Sequence, residues 1–399
     1  MRVASFLSSV AALTLISPVM AEPVPTGPPN APSQTPAFEQ QTRAPQIEDT
    51  TGLETTTVAD GLELPWGLAF LPGGDLLVTE RPGRLRRTTP DGEVSAPIAG
   101  LPEVDARGQG GLLDVSLAPD FADSRLVYLS YAEPRGQGKN ATAVARGRLS
   151  EDNTRLTDVE TIFQQQPAWD STKHFGSRLV WGTDGTLWIT LGERSLVEPR
   201  QRAQTLDNTI GKVVRVNADG SIPDDNPFVG RDDARGEIWS LGHRNIQGAA
   251  RHPDTGTLWT IEHGPKGGDE LNRPEPGLNY GWPVITYGED YSGAAIGEGI
   301  TQKAGMEQPI YYWDPVIAPG DMTFYTGDQL DGWQNSLVIA SLKPGGIVRL
   351  TLDDNRVTAE ARYLEGLGRV RDVDQGPDGA LWVLTDKRDG ALIRVHPQK

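Results

Sequence analysis

The 399-residue sequence contains no cysteine, which excludes disulfide bridges, thiolate zinc sites, iron–sulfur clusters and cysteine nucleophiles. Histidine is scarce, and the five histidines show none of the paired spacings of a zinc-hydrolase helix. A metal ion in this protein must therefore be held by oxygen or imidazole ligands. The sequence also lacks nucleotide-binding glycine loops and the Gly-x-Ser-x-Gly motif of a serine nucleophile.

Basic side chains are outnumbered, with 37 Lys and Arg against 54 Asp and Glu, so the formal net charge is −17. Binding to nucleic-acid phosphates needs a basic surface, and this composition argues against a nucleic-acid partner. Glycine (46) and proline (31) together make up about 19% of the chain, against roughly 12% in average usage. This excess predicts a core interrupted by many turns, with few long helices.

The N-terminus has the pattern of an export signal, predicted over residues 1–21. Arg2 gives a positive start, residues 10–16 form an apolar stretch, and Ala21 ends a small-x-Ala cleavage site. The apolar stretch is too short for a permanent membrane span. Residues 22–50 hold seven prolines and predict a disordered tether. Residues 51–399 are predicted to form the folded domain.

One pattern recurs after residue 50: an apolar strand, a turn containing Pro, Gly or Asp, and a second apolar strand. Five clear copies and a looser sixth lie at 65–79, 112–131, 178–192, 245–262, 370–385 and 322–342. Such turn chemistry is typical of β-hairpins. Six copies predict an all-β fold, a six-bladed β-propeller of four-stranded antiparallel blades. Two β-sandwiches with similar turns are the alternative.

Several polar residues interrupt this pattern. His174 precedes a predicted strand, where a neutral imidazole suits a general base, although a histidine that caps a loop looks the same in sequence. Cations occur on three separate segments, at Arg244, Lys343, and Arg369 with Arg371. If these segments converge, they form an anion site; each cation could instead pair with a surface carboxylate.

The segment 262–270 is a glycine-rich loop that combines carboxylates with a tight turn. Such a turn can direct main-chain carbonyls at one point, and calcium accepts carbonyl and carboxylate oxygens. The loop does not match the twelve-residue helix–loop–helix calcium pattern. On spacing alone it indicates a hard-cation site without identifying one.

Taken together, these segments resemble the soluble pyrroloquinoline quinone (PQQ) sugar dehydrogenases, in particular their bacterial aldose dehydrogenase branch. The matching segments follow one another from about residue 58 to 395: 108–114, 174–179, 242–245, 263–270, 279–283, 332–336, 341–343 and 369–372. The resemblance implies a six-bladed propeller with PQQ over its axis. PQQ is a planar orthoquinone with three carboxylates, which would give the separated cations a common ligand.

The resemblance also implies roles for particular residues. The implied cofactor contacts are Arg244, Asn245, Lys343, Arg369 and Arg371, with Tyr291 as a further contact and Gln109 placed to orient the sugar. The implied calcium ligands are the main-chain carbonyls of Gly264 and Pro265, and for a second ion Glu270 and Tyr280, with Asp290 as an addition.

The implied reaction is calcium-dependent oxidation of the C1 hydroxyl of an aldose to a lactone. His174 would take the hydroxyl proton while the C1 hydride moves to PQQ, and calcium with Arg244 would polarise the accepting carbonyl. An external quinone, cytochrome or dye would then receive the electrons. The expected protein is periplasmic and a monomer or homodimer. Glu193 stands where glucose-oxidising relatives have Asp, and segment 313–319 also departs from the family pattern, so the preferred sugar is not predicted.

Two other functions are compatible with a propeller. A calcium-dependent hydrolase such as a lactonase would need converging Asp, Asn or Glu ligands and has no use for four cations. A non-catalytic binding module would not need His174 beside the Arg244–Asn245 pair. Both remain alternatives at the level of sequence.

Overall fold

The computed structural model describes residues 21–48 and 51–398. The signal peptide predicted for residues 1–21 lies, except for Ala21, outside the described residues. Nearly all regular structure is antiparallel strand. The helices are short: α1 (Phe121–Ser124), α2 (Val197–Gln201) and two 3₁₀ turns, Arg202–Gln204 and Glu365–Leu367. Among the described residues, no helix has the length and apolar character to cross a membrane.

Within residues 21–48 and 51–398, twenty-three strands form six antiparallel sheets. Their bounds in the first half of the chain are β1 (Leu53–Leu62), β2 (Pro65–Phe70), β3 (Leu76–Glu80), β4 (Arg84–Thr88), β5 (Leu112–Leu117), β6 (Leu126–Pro134), β7 (Asn140–Leu149), β8 (Leu156–Gln164), β9 (Gly176–Trp181), β10 (Leu187–Leu191), β11 (Lys212–Val216) and β12 (Ile238–Leu241). Those in the second half are β13 (Ile246–Arg251), β14 (Leu258–Glu262), β15 (Asp269–Asn272), β16 (Tyr311–Trp313), β17 (Pro319–Phe324), β18 (Leu337–Ser341), β19 (Ile347–Asp353), β20 (Arg356–Tyr363), β21 (Val370–Gln375), β22 (Leu381–Thr385) and β23 (Gly390–Pro397).

The sheets are the blades of a six-bladed β-propeller, as the sequence predicted. Five blades have four strands; the blade β2–β3–β4 has three, extended only by an isolated bridge between Thr88 and Val94. The innermost strands β2, β5, β9, β13, β17 and β21 contact one another in a closed ring. The repeated sequence pattern corresponds to the two innermost strands of every blade.

The ring is closed by strands from opposite ends of the domain. Strand β1 pairs antiparallel with β23, from Leu53 opposite Pro397 to Leu62 opposite Gly390, and so completes the last blade. Apolar side chains fill the spaces between neighbouring blades. One example is Trp259, fully buried and packed edge-on against Phe324 at a centroid distance of 5.7 Å. Burial of such a side chain contributes roughly 1.5–3 kcal/mol.

Residues 21–48 form a strap on the outer edge of two blades, whereas the sequence predicted that 22–50 would be a disordered tether. Gln46 makes a parallel bridge to Glu360 of β20, and the carbonyl of Gln41 accepts from the amide of Tyr312 in β16. Ala44 is 1% exposed within the core cluster of Trp259. For residues 22–48 the prediction was therefore wrong: prolines lower the entropy lost on fixing the chain, and small buried side chains anchor it.

The strap also contacts the turn after β16 and the long connection between β15 and β16. Both carboxylate oxygens of Asp314 accept amide protons from the strap, from Asn30 at 2.6 Å and Ala31 at 2.9 Å. The hydroxyl of Tyr287 donates to Oε1 of Gln41 at 3.0 Å, and its ring stacks on Tyr312 at 3.9 Å. The strap thus supports the segment that lies beside the glycine-rich loop 262–270.

Candidate active site

The predicted site residues lie at one end of the propeller because all inner strands run in the same direction. Gln109, His174, Asn245 and Arg369 each stand just before an inner strand, so the repeat brings them to the same face. A cavity of about 130 Å³ opens there. Its polar lining includes Gln109, Asn245, Gln247, His263, Arg369 and Arg371. The fold thus brings Arg369 and Arg371 to one cavity with Gln109 and Asn245, whereas the other two predicted cations, Arg244 and Lys343, do not line it.

His174 is held by two side chains from neighbouring segments. Its Nδ1 lies 2.5 Å from Oε1 of Glu193, and its main-chain N–H donates to Oε1 of Gln109 at 2.8 Å. A carboxylate can only accept, so Nδ1 carries the proton and Nε2 keeps its lone pair. No described residue hydrogen-bonds to Nε2. This arrangement is that of a neutral base with a fixed tautomer.

The electrostatic surroundings keep the imidazole of His174 neutral. Burial, and next the charge of Arg244, lower the pKa of His174 to about 4, although Glu193 opposes this shift. His263 is half-buried, and its pKa is lowered to about 3, mainly by desolvation. Nε2 of His263 lies 2.7 Å from the carbonyl of Pro319 and must donate to it. His263 is thus occupied structurally, and His174 is the histidine available as a base.

Arg244 and Asn245 are aligned by Glu262. One oxygen of the Glu262 carboxylate accepts the main-chain N–H groups of Arg244 at 2.6 Å and Asn245 at 3.3 Å. The guanidinium of Arg244 donates to the carbonyl of His263 at 2.8 Å, while its buried Nε has no partner in the described part of the chain. The side-chain oxygen of Asn245 accepts from the amide of Gly176 at 3.2 Å. Arg244 therefore keeps a donor free for a ligand.

Arg369 and Arg371 meet at one carboxylate that the sequence did not single out. Oδ2 of Asp386 accepts from Arg369 at 2.6 Å and from Arg371 at 3.0 Å. Arg371 also donates to Gln247 at 3.0 Å, is 7% exposed, and has an unpartnered Nε. Two guanidiniums against one carboxylate leave a net positive charge at the cavity.

Lys343 and Tyr291 lie at the exposed margin of this face. Lys343 is exposed, next to Leu342 that lines the cavity, and makes no ion pair with any described residue. Tyr291 is 74% exposed. Its neighbour Asp290 is close enough to Arg200 and Arg244 for both to help lower its pKa, after hydrogen bonds from Ser292. The structure thus gives neither residue a contact with the buried part of the site.

The glycine-rich loop forms a second, smaller pocket beside Arg244. A Cβ atom on Gly264 would lie 2.1 Å from the carbonyl oxygen of Gly268, so only glycine fits this turn. Gly264, Pro265, Glu270 and Tyr280 border a cavity of about 10 Å³. Burial raises the pKa of Glu270 well above its usual range, and the nearby Glu262 adds to the shift.

The predicted calcium ligands share this pocket, but they are not a cluster of acidic side chains. No three His, Asp or Glu side chains of the described residues converge as metal ligands. The hydroxyl of Tyr280 already donates to the carbonyl of Arg273 and accepts from the amide of Glu275. Oxygen for a cation here would come from main-chain carbonyls and Glu270.

The propeller axis below the site is closed by Arg178. Its Nη1 lies 3.1 Å from Asp114 and Asp321 and 3.2 Å from Asp372, each on a different inner strand. Beyond it a cavity of about 740 Å³ faces the opposite end, and Asp374 also lines it. Burial raises the pKa of Asp114 to about 6 and that of Asp374 to about 7.

The family model described as glucose/sorbosone dehydrogenase matches residues 62–394. Aldose sugar dehydrogenase YliI of Escherichia coli (strain K12) is 48% identical over 342 residues, which are 85% of this chain and 91% of that protein. The strap precedes the residues that the family model matches.

Two solved structures extend the comparison. The soluble aldose sugar dehydrogenase from Escherichia coli in its apo form has a TM-score of 0.84 and 46% identity, covering 87% of this chain and 100% of the other. The PQQ-bound form of aldose sugar dehydrogenase from Streptomyces coelicolor has a TM-score of 0.71 and 28% identity, covering 87% and 99%.

Proposed function

The chain belongs to the glucose/sorbosone dehydrogenase family, and on that premise we propose that it is a PQQ- and calcium-dependent aldose dehydrogenase that forms lactones. The observation that carries this proposal is the meeting of Arg369, Arg371 and Asn245 in one cavity whose wall includes Gln109, the residue bonded to His174. A base and an anion site therefore adjoin each other at one mouth of the propeller.

The residues present fit PQQ. The buried Nε atoms of Arg244 and Arg371 have no partner among the described residues, and a ligand with carboxylates would satisfy such donors. Arg244, Asn245, Lys343, Arg369 and Arg371 would hold the cofactor. When bound, PQQ supplies an electrophilic quinone carbonyl that accepts a hydride from the sugar.

The residues beside Arg244 also fit calcium. Main-chain carbonyls at Gly264 and Pro265 and the carboxylate of Glu270 are oxygen donors of the kind that calcium takes. A divalent cation there would balance the charge of Glu270 and Glu262, whose proximity in a buried pocket is otherwise unfavourable. We propose this pocket as the calcium site.

His174 performs the proton transfer in the proposed reaction. Its Nε2 removes the proton of the anomeric hydroxyl while the C1–H bond breaks, so the C–O bond of the sugar becomes the carbonyl of the lactone. Glu193 stabilises the imidazolium that forms and fixes the ring. Gln109 holds the main chain of His174 and orients the sugar. Arg244 offers positive charge where negative charge develops.

Export is a further part of the proposal. The apolar stretch and small-x-Ala site at residues 1–21 motivate it. We place the enzyme in the periplasm, where it would pass two electrons to an external quinone, cytochrome or dye. The monomer and the homodimer are both compatible with this proposal.

A serine, a histidine and a glutamate lie in contact near Arg244, an arrangement that the hydrolase alternative could use. Ser240, His243 and Glu262 are linked in series: Oγ of Ser240 lies 2.8 Å from Nε2 of His243, and Nδ1 of His243 lies 3.0 Å from Oε1 of Glu262. The connectivity is that of a hydrolytic triad. However, Ser240 and His243 are 0% exposed and Glu262 is 3% exposed, so no substrate can reach the hydroxyl. The linked residues instead align Arg244.

The test is a titration of the apoprotein with PQQ in the presence of calcium. We expect a saturable change in the PQQ absorption spectrum, and reduction of an artificial dye when an aldose such as glucose is added. Replacing calcium by a chelator should weaken the spectral change, and Glu270→Gln should do the same, whereas Glu298→Gln, on the exposed part of the long connection, should not. An absent spectral change at high calcium would refute the cofactor assignment.

The His174→Ala variant separates binding from chemistry. It should bind PQQ as the unmodified protein does, while its turnover drops by roughly 10²–10⁴-fold, the usual share of a positioned base. A product assay that detects a lactone, rather than a free acid formed directly, tests the reaction class. Hydrolysis of a lactone without PQQ would favour the hydrolase.

A further inference from the structure

Arg194 follows Glu193 directly and is one of the largest fully buried side chains of the protein, with 0% exposure. Its backbone adopts a positive φ of 72°, uncommon for a residue with a side chain. No carboxylate of the described residues lies within ion-pair distance of its guanidinium. A buried guanidinium without an ion-pair partner is costly, and burial lowers the pKa of Arg194 to about 9, although the charges of Glu193 and Asp105 oppose this shift. A side chain retained at such a cost calls for a reason beyond packing.

The partners of Arg194 indicate that reason, because most of them lie on the segment that contains His174. The guanidinium donates to the carbonyls of Ser171 at 2.8 Å and His174 at 3.3 Å, and lies 3.8 Å from the ring centroid of Phe175. Its remaining partner is the side-chain oxygen of Asn140, in the neighbouring blade. The main chain adds a contact from the amide of Arg194 to the carbonyl of His174 at 3.4 Å.

The backbone of this segment is strained at His174. His174 has a φ of 52°, a left-handed conformation that a residue with a Cβ atom adopts only when its surroundings enforce it. Gln109 holds the amide of His174, Glu193 its ring, and Arg194 its carbonyl. Removal of any one of these three contacts would allow the imidazole to adopt more than one position.

We propose that Arg194 is a positioning residue for the proposed reaction, which clamps residues 171–175 so that His174 is held in its productive conformation. This inference rests on the proposed function of His174 as the base. The planar guanidinium is suited to the task, because it donates in several directions at once and stacks on an aromatic ring. A lysine ammonium can replace the charge, but it cannot reproduce the planar arrangement of donors or the stacking on the ring.

The same charge acts on the ring of His174. The charged and titratable groups that face this imidazole are Glu193 and Arg194 from the segment after β10, Arg244 before β13, and His263 after β14. Arg194 is one of the two cations that lower the pKa of His174. Loss of its charge should therefore raise the pH at which His174 titrates, which a purely structural role for the clamp would not do.

The experiment compares Arg194→Met and Arg194→Lys with Arg215→Met. Arg215 is a matched control, because it is a buried arginine of the same blade, 5% exposed, that pairs with Asp184 and Asp225 away from His174. Arg194→Met should lower turnover roughly 10- to 100-fold with little change in KM, as expected for a displaced base. The turnover of Arg194→Lys should lie between that of Arg194→Met and that of the unmodified protein. Arg215→Met should alter thermal stability only.

A second readout needs no cofactor. The His174 ring signal in the apoprotein, assigned with His174→Gln, is followed by NMR as the pH is varied. We expect His174 to titrate at higher pH in Arg194→Met than in the unmodified protein, and near the pH of the unmodified protein in Arg194→Lys. An unchanged titration together with unchanged turnover in Arg194→Met would overturn the proposal, as would losses no greater than those of Arg215→Met.

Two provisions keep the test decisive. If Arg194→Met does not fold, Arg194→Lys and Phe175→Leu take its place, and original turnover in both would overturn the proposal. If the unmodified protein neither binds PQQ nor oxidises aldoses, the proposed function has failed. The NMR titration of the apoprotein would still report whether the charge of Arg194 acts on the ring of His174.

Discussion

The carboxylate of Glu193 lies 2.5 Å from Nδ1 of His174, and both side chains are buried at the mouth of the propeller. Glu193 follows the last residue pairs of β10, and His174 precedes β9, the neighbouring strand of the same blade. The pair is therefore placed by sheet register. Oε2 of Glu193 has no partner within the described residues, so His174 is the one side chain among them that hydrogen-bonds to this carboxylate.

Glu193→Gln should lower turnover strongly, by roughly 10²–10⁴-fold, because the amide no longer enforces one tautomer or stabilises the imidazolium. Glu193 raises the pKa of His174 against the effect of burial. Its loss should therefore move the acid limb of the rate profile to lower pH. Turnover measured between pH 3.5 and 8 checks both effects. An unchanged acid limb would show that the pair does not control protonation.

Arg371→Gln should weaken PQQ binding before it affects sugar recognition. A charge-assisted hydrogen bond contributes roughly 1.5–3 kcal/mol, so the dissociation constant should rise about 10- to 100-fold. Spectral titration with PQQ measures this constant, and KM for the sugar is determined at saturating cofactor. Arg394→Gln is the control, because Arg394 pairs with Asp378 on the outer part of the last blade. Equal effects of both variants would contradict a specific anion site.

The carboxylates below the site should make stability depend on pH. Burial raises the pKa of Asp374 to about 7, so the folded state binds this proton more tightly than the unfolded chain, whose carboxyl titrates near 3.9. The stabilising contribution is complete below about pH 4 and is lost as pH rises through about 7.

Asp374→Asn imitates the protonated carboxyl and should flatten this dependence. Urea unfolding at pH 5 and pH 8 gives the difference in the free energy of unfolding. The exposed Asp331→Asn removes the same charge at the surface and should leave the difference unchanged. A slope in Asp374→Asn equal to that of the unmodified protein would mean that Asp374 stays ionised.

The strap should contribute to stability. Ala44→Glu places a charge among the apolar side chains of the blade core, where Ala44 is 1% exposed, and should lower the free energy of unfolding by about 2–3 kcal/mol. Thr35→Glu, at an exposed position of the same strap, is the control. Limited proteolysis should cut within residues 21–48 faster in Ala44→Glu only. Rapid cutting in the unmodified protein would indicate that the strap does not stay bound.

Several features of the site could be predicted from sequence because they lie at fixed points of a repeat. Gln109, His174, Asn245 and Arg369 all precede inner strands, and a propeller necessarily gathers such positions at one end. Glu193 was noticed only as a departure from the family pattern. Asp386 and Arg194 gave no signal, because one acidic or basic residue in a loop looks like any other until its neighbours are known.

The sequence by itself determined the hairpin units, their number and hence the propeller, because turn chemistry and strand alternation depend on residues a few positions apart. Only the tertiary structure decided which charges meet. Asp386 takes both Arg369 and Arg371, Arg194 turns inward to the His174 segment, and a proline-rich strap lies along two blades. Each of these contacts joins segments whose separation depends on how strands register and blades pack, and that information is not local in the chain.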